Sequence, residues 1–201
     1  MNGNKILTEL LEKSEYGSKE QAIASLTYFT NPETIKDLNN SHIFKIIRNP
    51  AKRGEMTDEY MFDNNFCVQD IFRWVNKLNK KELKDVQFNH IYSDRKSIEK
   101  YTCLSNIVLT PAFLAKLTDT DNDIKYLLKY RAYEIYNYNP EKIDFVKPIN
   151  YDKIEWKDYR PIIVNLKEHM KHIAEKNKKN KAILSINKFG WFFNNFEPLI
   201  E

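Results

Sequence analysis

One histidine stands where its chemistry can be put to use. In Val86-Gln87-Phe88-Asn89-His90-Ile91-Tyr92 apolar and polar residues alternate with the period of a β-strand, setting Val86, Phe88, His90 and Tyr92 on one face and Asn89 and Ile91 on the other. An imidazole changes charge near neutral pH and can accept or deliver a proton there. Seventeen residues after Asn89 comes Asn106, followed by the apolar run Ile107-Val108-Leu109-Thr110 and by Pro111. Taken alone, a strand histidine is more often a half-buried residue with satisfied hydrogen bonds than a reactive one, so the surrounding pattern decides. The other candidates are weaker. His169 and His172, three apart on a helical stretch, have no third metal ligand near them in sequence. Cys67 and Cys103 follow no zinc or redox spacing and are expected as reduced thiols. Only four glycines are present, with no GxGxxG and no GxxxxGK[ST], which excludes dinucleotide-fingerprint and P-loop chemistry.

The segment Phe88-Asn89-His90-Ile91-Tyr92-Ser93, followed by Ser105-Asn106-Ile107-Val108-Leu109-Thr110-Pro111 and then a helix, resembles the HNH or ββα-metal endonucleases. The resemblance covers about residues 86 to 119. It implies a small hairpin-and-helix core binding one divalent ion, Mg²⁺ or Mn²⁺, and hydrolysing DNA phosphodiesters. In that frame His90 takes the general-base position and Asn89 the first metal-ligand position, where an amide oxygen coordinates without negative charge. Asn106 takes the place of the asparagine that braces the loop and keeps the histidine productively oriented. The chain then departs from the pattern. Where the family places ligands on the helix, this sequence has Ala112-Phe113-Leu114-Ala115-Lys116, and Asp119 is the nearest carboxylate able to substitute. Thr118-Asp119-Thr120-Asp121 reads equally well as helix-capping sequence. Arg95 and Lys96, just after the strand, are candidates for holding a phosphate oxygen.

Six lysines between Lys167 and Lys181, among them Lys167, Lys171, Lys178 and Lys179, can follow a phosphate backbone or form a solvated helix end. Tyr126, Tyr130, Tyr133, Tyr136 and Tyr138 have helical spacing that fits packing at least as well as base stacking. Two functions therefore stand side by side. One is a metal-dependent endonuclease acting on double-stranded DNA; the other is a binding module that keeps the core without cutting. A duplex cutter with one site per chain would act as a homodimer or by successive nicks.

These residues need a framework to hold them. At 201 residues, with 42% apolar and 30% charged side chains, the chain is a globular protein able to bury one sizeable core. A net charge of +4 permits a polyanionic partner without requiring one. No apolar run approaches membrane-spanning length and the first residues lack a signal-peptide pattern, so a cytoplasmic protein is expected. The class is α+β and mostly helical, with the hairpin-helix core set among helices. Three stretches follow: an N-terminal helical region 1–80, the core with its following helix 81–140, and a C-terminal helical extension 141–201 carrying the basic run. The first fifty residues read as short helices, with Ser18 and Asn31-Pro32 as start signals, and 49–66 as a surface connection. Helices are expected over 68–78, from Asp121 to Ile135, and over 161–173. The second strand is expected over 103–109 with Pro111 opening the next helix, residues 140–158 as linker, and the aromatic tail 189–196 packed back on the body.

Overall fold

The computed structural model describes residues 1–94 and 96–190, an α+β protein that is mostly helical with two small sheets. The chain opens with α1 (Gly3–Glu12), α2 (Lys19–Leu26) and α3 (Pro32–Ile35). Ser18 caps α2 by accepting from Gln21 N, and Asn31 caps α3 with Pro32 in its first turn, so these helices begin where the sequence signals put them. The first fifty residues are not helical throughout, however. A short strand β1 (Ile46–Arg48) pairs in parallel with β2 (Met61–Asp63), which lies inside the stretch expected to be a surface connection. Three-residue strands are too short to show an alternation in sequence, and Met61 and Asp63 are buried.

Helix α4 (Phe66–Val75) ends three residues short of the expected limit. Asn76 N bonds to Phe72 O, Lys77 takes a left-handed conformation at φ 50° and Leu78 N returns to Arg73 O, a turn that closes the helix. Leu78, expected on the helix, still packs against the same core from beyond that turn.

Strand β3 (Val86–His90) and β4 (Ile107–Pro111) form an antiparallel pair with Asn89 opposite Val108 and His90 opposite Ile107. Between them lies α5 (Ile98–Tyr101). The second strand starts four residues later than expected, because Leu104–Asn106 makes a tight helical turn, with Asn106 N bonded to Cys103 O. Pro111 closes β4 rather than opening α6 (Ala112–Thr120), which packs across both strands. The expected alternation stops at His90; Ile91 and Tyr92 are both buried in one cluster.

Helix α7 (Asn122–Tyr136) is capped by Asp121, whose carboxylate accepts from Asp123 N and Ile124 N and sits 2.7 Å from Lys19 Nζ. Apart from a tight turn at Tyr151–Lys153, residues 140–158 have no regular structure. The C-terminal helix begins later than expected, as α8 (Leu166–Lys176), because Asn165 provides the cap and Ile163 N is tied outside the helix to Thr34 Oγ1. The basic run ends α8 without ending the helical structure. It turns at 177–180 into α9 (Lys181–Phe189), which Asn180 caps and which packs with α8 on α4. Phe189 is buried, while residues 191–196 of the expected tail lie outside the described residues.

The β3–β4 pair lies between two apolar clusters. Ile107 and Leu109 face one, with Phe72, Val68, Leu166 and Ile183, while Val108 faces the other, with Leu114, Leu117, Ile124 and Leu128. Each such side chain removed from water stabilises the fold by about 1.5 to 3 kcal/mol, so the pair is gripped from both faces. Both clusters draw on all three stretches expected as separate regions. Among the described residues no helix is long and apolar enough to cross a membrane.

Candidate active site

The end of β3 delivers His90 to a cleft of about 340 Å³ lined also by Asn89, Asp119, Arg48, Asn65, Gln69, Asp94 and Tyr101. His90 is half-buried, and its ring stacks on Tyr101 with centroids 5.2 Å apart and planes 15° from parallel. Its Nε2 lies 2.9 Å from the Tyr101 carbonyl oxygen. A carbonyl only accepts, so Nε2 carries the hydrogen and Nδ1 keeps its lone pair. Burial lowers the imidazole pKa below its ordinary value; the Tyr101 bond raises it, and the nearby Arg48 charge lowers it again. The ring is therefore neutral at pH 7, with one nitrogen anchored and the other available as a base.

Asn106 is fully buried behind this histidine. Its Oδ1 accepts from Tyr92 N at 2.7 Å, and its Nδ2 donates to Tyr92 O at 3.1 Å and to Lys100 O at 3.0 Å. Its own carbonyl accepts from Ile91 N at 2.9 Å. One side chain thus ties the exit of β3 to the end of the loop that returns as β4. The loop in turn supplies Tyr101, whose backbone orients His90 and whose hydroxyl lies 3.2 Å from Asp63 Oδ2 and 3.1 Å from Asn65 Oδ1.

Asn89 donates through Nδ2 to Thr110 Oγ1 at 2.6 Å, which leaves Oδ1 as the atom of that amide able to ligate. Asp119, in the last turn of α6, is exposed and lines the same cleft. An amide oxygen and a carboxylate are hard donors of the kind Mg²⁺ and Mn²⁺ take, and Mg²⁺ keeps several waters when protein ligands are few. Among the described residues no group of three or more His, Cys, Asp or Glu side chains gathers closely enough to hold a metal on its own. Two such donors build no closed cage, and an ion held by them would draw most of its coordination from water.

The remaining candidates fall elsewhere. Arg95 lies outside the described residues. Lys96 is exposed in the turn after β3, where its N–H bonds to Asp94 Oδ1. Lys167 and Lys171 are on α8, and Lys178 and Lys179 are exposed in the turn after it; none of these lysines lines the cleft. His169 donates through Nε2 to Trp74 O at 2.9 Å, while His172 is exposed 3.9 Å from Glu175, so the two do not converge on a shared site. The tyrosine series is packing: Tyr130 meets Tyr133, Phe145 and Tyr151 edge to face.

Sequence reasoning missed Arg48, Asn65, Gln69, Asp94 and Tyr101 as lining residues. Arg48 and Asn65 reach the cleft only through the β1–β2 pairing, for which three-residue strands leave no periodic signal. Comparison with known proteins adds no neighbour: no family model matches the chain, and neither the curated proteins nor the solved structures provide a match.

Proposed function

We propose that the chain is a metal-dependent endonuclease that hydrolyses DNA phosphodiester bonds with His90 as general base. One observation carries this reading: His90 has Nε2 tied to the Tyr101 carbonyl and Nδ1 left as a base, in the cleft that also holds Asn89 and Asp119. Nδ1 takes a proton from water, and the resulting hydroxide oxygen attacks phosphorus. The bond from phosphorus to the departing deoxyribose oxygen breaks, and that oxygen is protonated from solvent. As the ring becomes cationic, its Nε2–H bond to the Tyr101 carbonyl strengthens and spreads the charge. Asn89 Oδ1 and Asp119 would hold one Mg²⁺ or Mn²⁺, which when bound supplies charge stabilisation at the phosphoryl oxygens and the departing oxygen.

A second reading is favoured by the thin donor set, in which the first turns of α6 offer Ala112, Phe113, Leu114, Ala115 and Lys116 and no ligand. In that case the hairpin and helix survive as a nucleic-acid or protein binding module. Supercoiled plasmid incubated with Mg²⁺ or Mn²⁺ separates the two. Nicking that falls about 100- to 10,000-fold in His90→Ala is expected for the enzyme, the range over which a lost general base acts. Retarded but intact plasmid, identical for both proteins, would establish the module instead.

A further inference from the structure

Arg48 ends β1 beside Asp63, its register partner on β2, and lines the His90 cleft together with residues of the β3–β4 pair. Its Nε is buried and has no hydrogen-bond partner among the described residues. Asp63 would be the obvious counter-ion, yet its Oδ2 is taken by Cys67 N at 3.0 Å and by the Tyr101 hydroxyl at 3.2 Å. A guanidinium N–H withdrawn from water without an acceptor is costly, so a site that keeps one is suited to a ligand that brings the acceptor with it. The carboxamide of Gln69, from the first turn of α4, and Asn65 line the cleft alongside it.

We propose that Arg48 is the phosphate-gripping residue of this cleft, its guanidinium turning to offer Nε–H and a neighbouring Nη–H to one phosphodiester group, with the Gln69 amide beside it. A planar guanidinium presents two parallel donors at the spacing of two phosphoryl oxygens, which an ammonium cannot do. Arg48 and His90 line the same cleft, so a phosphate held by Arg48 shares that cleft with the base. The choice of a phosphodiester rests on the nuclease reading; the presence of an oxyanion subsite does not. The grip also comes from outside the hairpin-helix core, on the β1–β2 pair, so substrate would lie between two parts of the fold.

Nitrogen–proton NMR in EDTA, with inorganic phosphate as the probe, tests this without any catalysis. The Arg48 Nε–Hε signal is assigned by its loss in Arg48→Lys. Addition of phosphate is expected to move it downfield and saturably, in the native protein and in His90→Ala alike, while the signals of Arg53, Arg73, Arg131 and Arg160 stay in place. A signal that stays still, or drifts only together with those other arginines, overturns the subsite. In the plasmid assay Arg48→Lys and Arg48→Gln are expected to lose at least tenfold in kcat/KM, chiefly through KM. Native kcat/KM in both variants overturns the subsite and leaves the nuclease reading standing. A saturable phosphate shift in a protein that never nicks plasmid keeps the subsite and removes the nuclease reading.

Discussion

At the scale of single residues, the proposed nuclease reading makes the protonation of His90 decide whether the cleft can act. Withdrawal from water disfavours the charged ring, the Tyr101 carbonyl acts in the opposite sense, and the Arg48 charge adds to the effect of burial. The net lowering means that the ring stays neutral as pH falls past the ordinary histidine value, about 6.5. A base must be unprotonated, so activity should be full at pH 7 and lost only on the acid side of that value. The His90 ring proton followed by NMR in metal-free buffer, beside the pH profile of plasmid nicking, checks this. Both inflections are expected below about 6.5, and moved upward in Arg48→Gln, which removes the cation that opposes protonation. An inflection above the ordinary value, or one indifferent to Arg48, would mean that neither burial nor the guanidinium governs the ring.

At the scale of elements the loop between β3 and β4 matters more than either strand. The two strands share five register pairs, but the loop's shape is fixed by Asn106, which meets three backbone groups of Tyr92 and Lys100 from a position with no solvent access. Asn106→Ala leaves the buried Tyr92 N–H without its acceptor, at about 1 to 3 kcal/mol, and takes one donor each from Tyr92 O and Lys100 O, which keep Asp94 N and Cys103 N, so a total loss near 3 kcal/mol is expected in urea unfolding. Asn106→Asp should do no better, since a carboxylate would face the two carbonyls that the amide now serves. A loss under about 0.5 kcal/mol in Asn106→Ala, the range of an ordinary surface change, would remove the bracing role. This part of the molecule was legible because its signals are local: an alternating run ending at His90, an asparagine at fixed distance, an apolar strand and a proline before the helix. What stayed hidden is non-local. Arg48 shares the cleft with His90 from a strand, β1, that pairs with β2 across the loop containing Gly54, and Tyr101 orients the imidazole through a backbone carbonyl, which every residue type possesses. Helix α9 was obscured by the lysine run before it, whose turn is set by the Asn180 cap.

At the scale of the whole molecule, charge is distributed unevenly around a modest total of +4. The cleft carries Arg48 against Asp94 and Asp119, whereas Lys167, Lys171, Lys178 and Lys179 gather on α8 and the turn after it. Helices α8 and α9 pack on α4, the helix whose first turn places Gln69 in the cleft, so the lysine-bearing unit is fixed to the same framework as the site. That arrangement suits a division of labour in which the lysines attract and align the backbone of a duplex and the cleft engages one phosphate of it. Lysine contacts to phosphate displace condensed counterions, and each contributes about 0.9 to the slope of log binding constant against log salt on duplex DNA. Changing Lys167, Lys171, Lys178 and Lys179 together to glutamine should therefore flatten that slope by about 2 to 4, measured by fluorescence anisotropy with a labelled duplex in EDTA. Folding should be untouched, because Lys167, Lys178 and Lys179 are exposed and Lys171 is only partly covered. Arg48→Gln, by contrast, removes at most one contact and should change the slope by no more than about 1. An unchanged slope in the four-lysine variant would make that surface a solvated helix end with no part in holding a duplex.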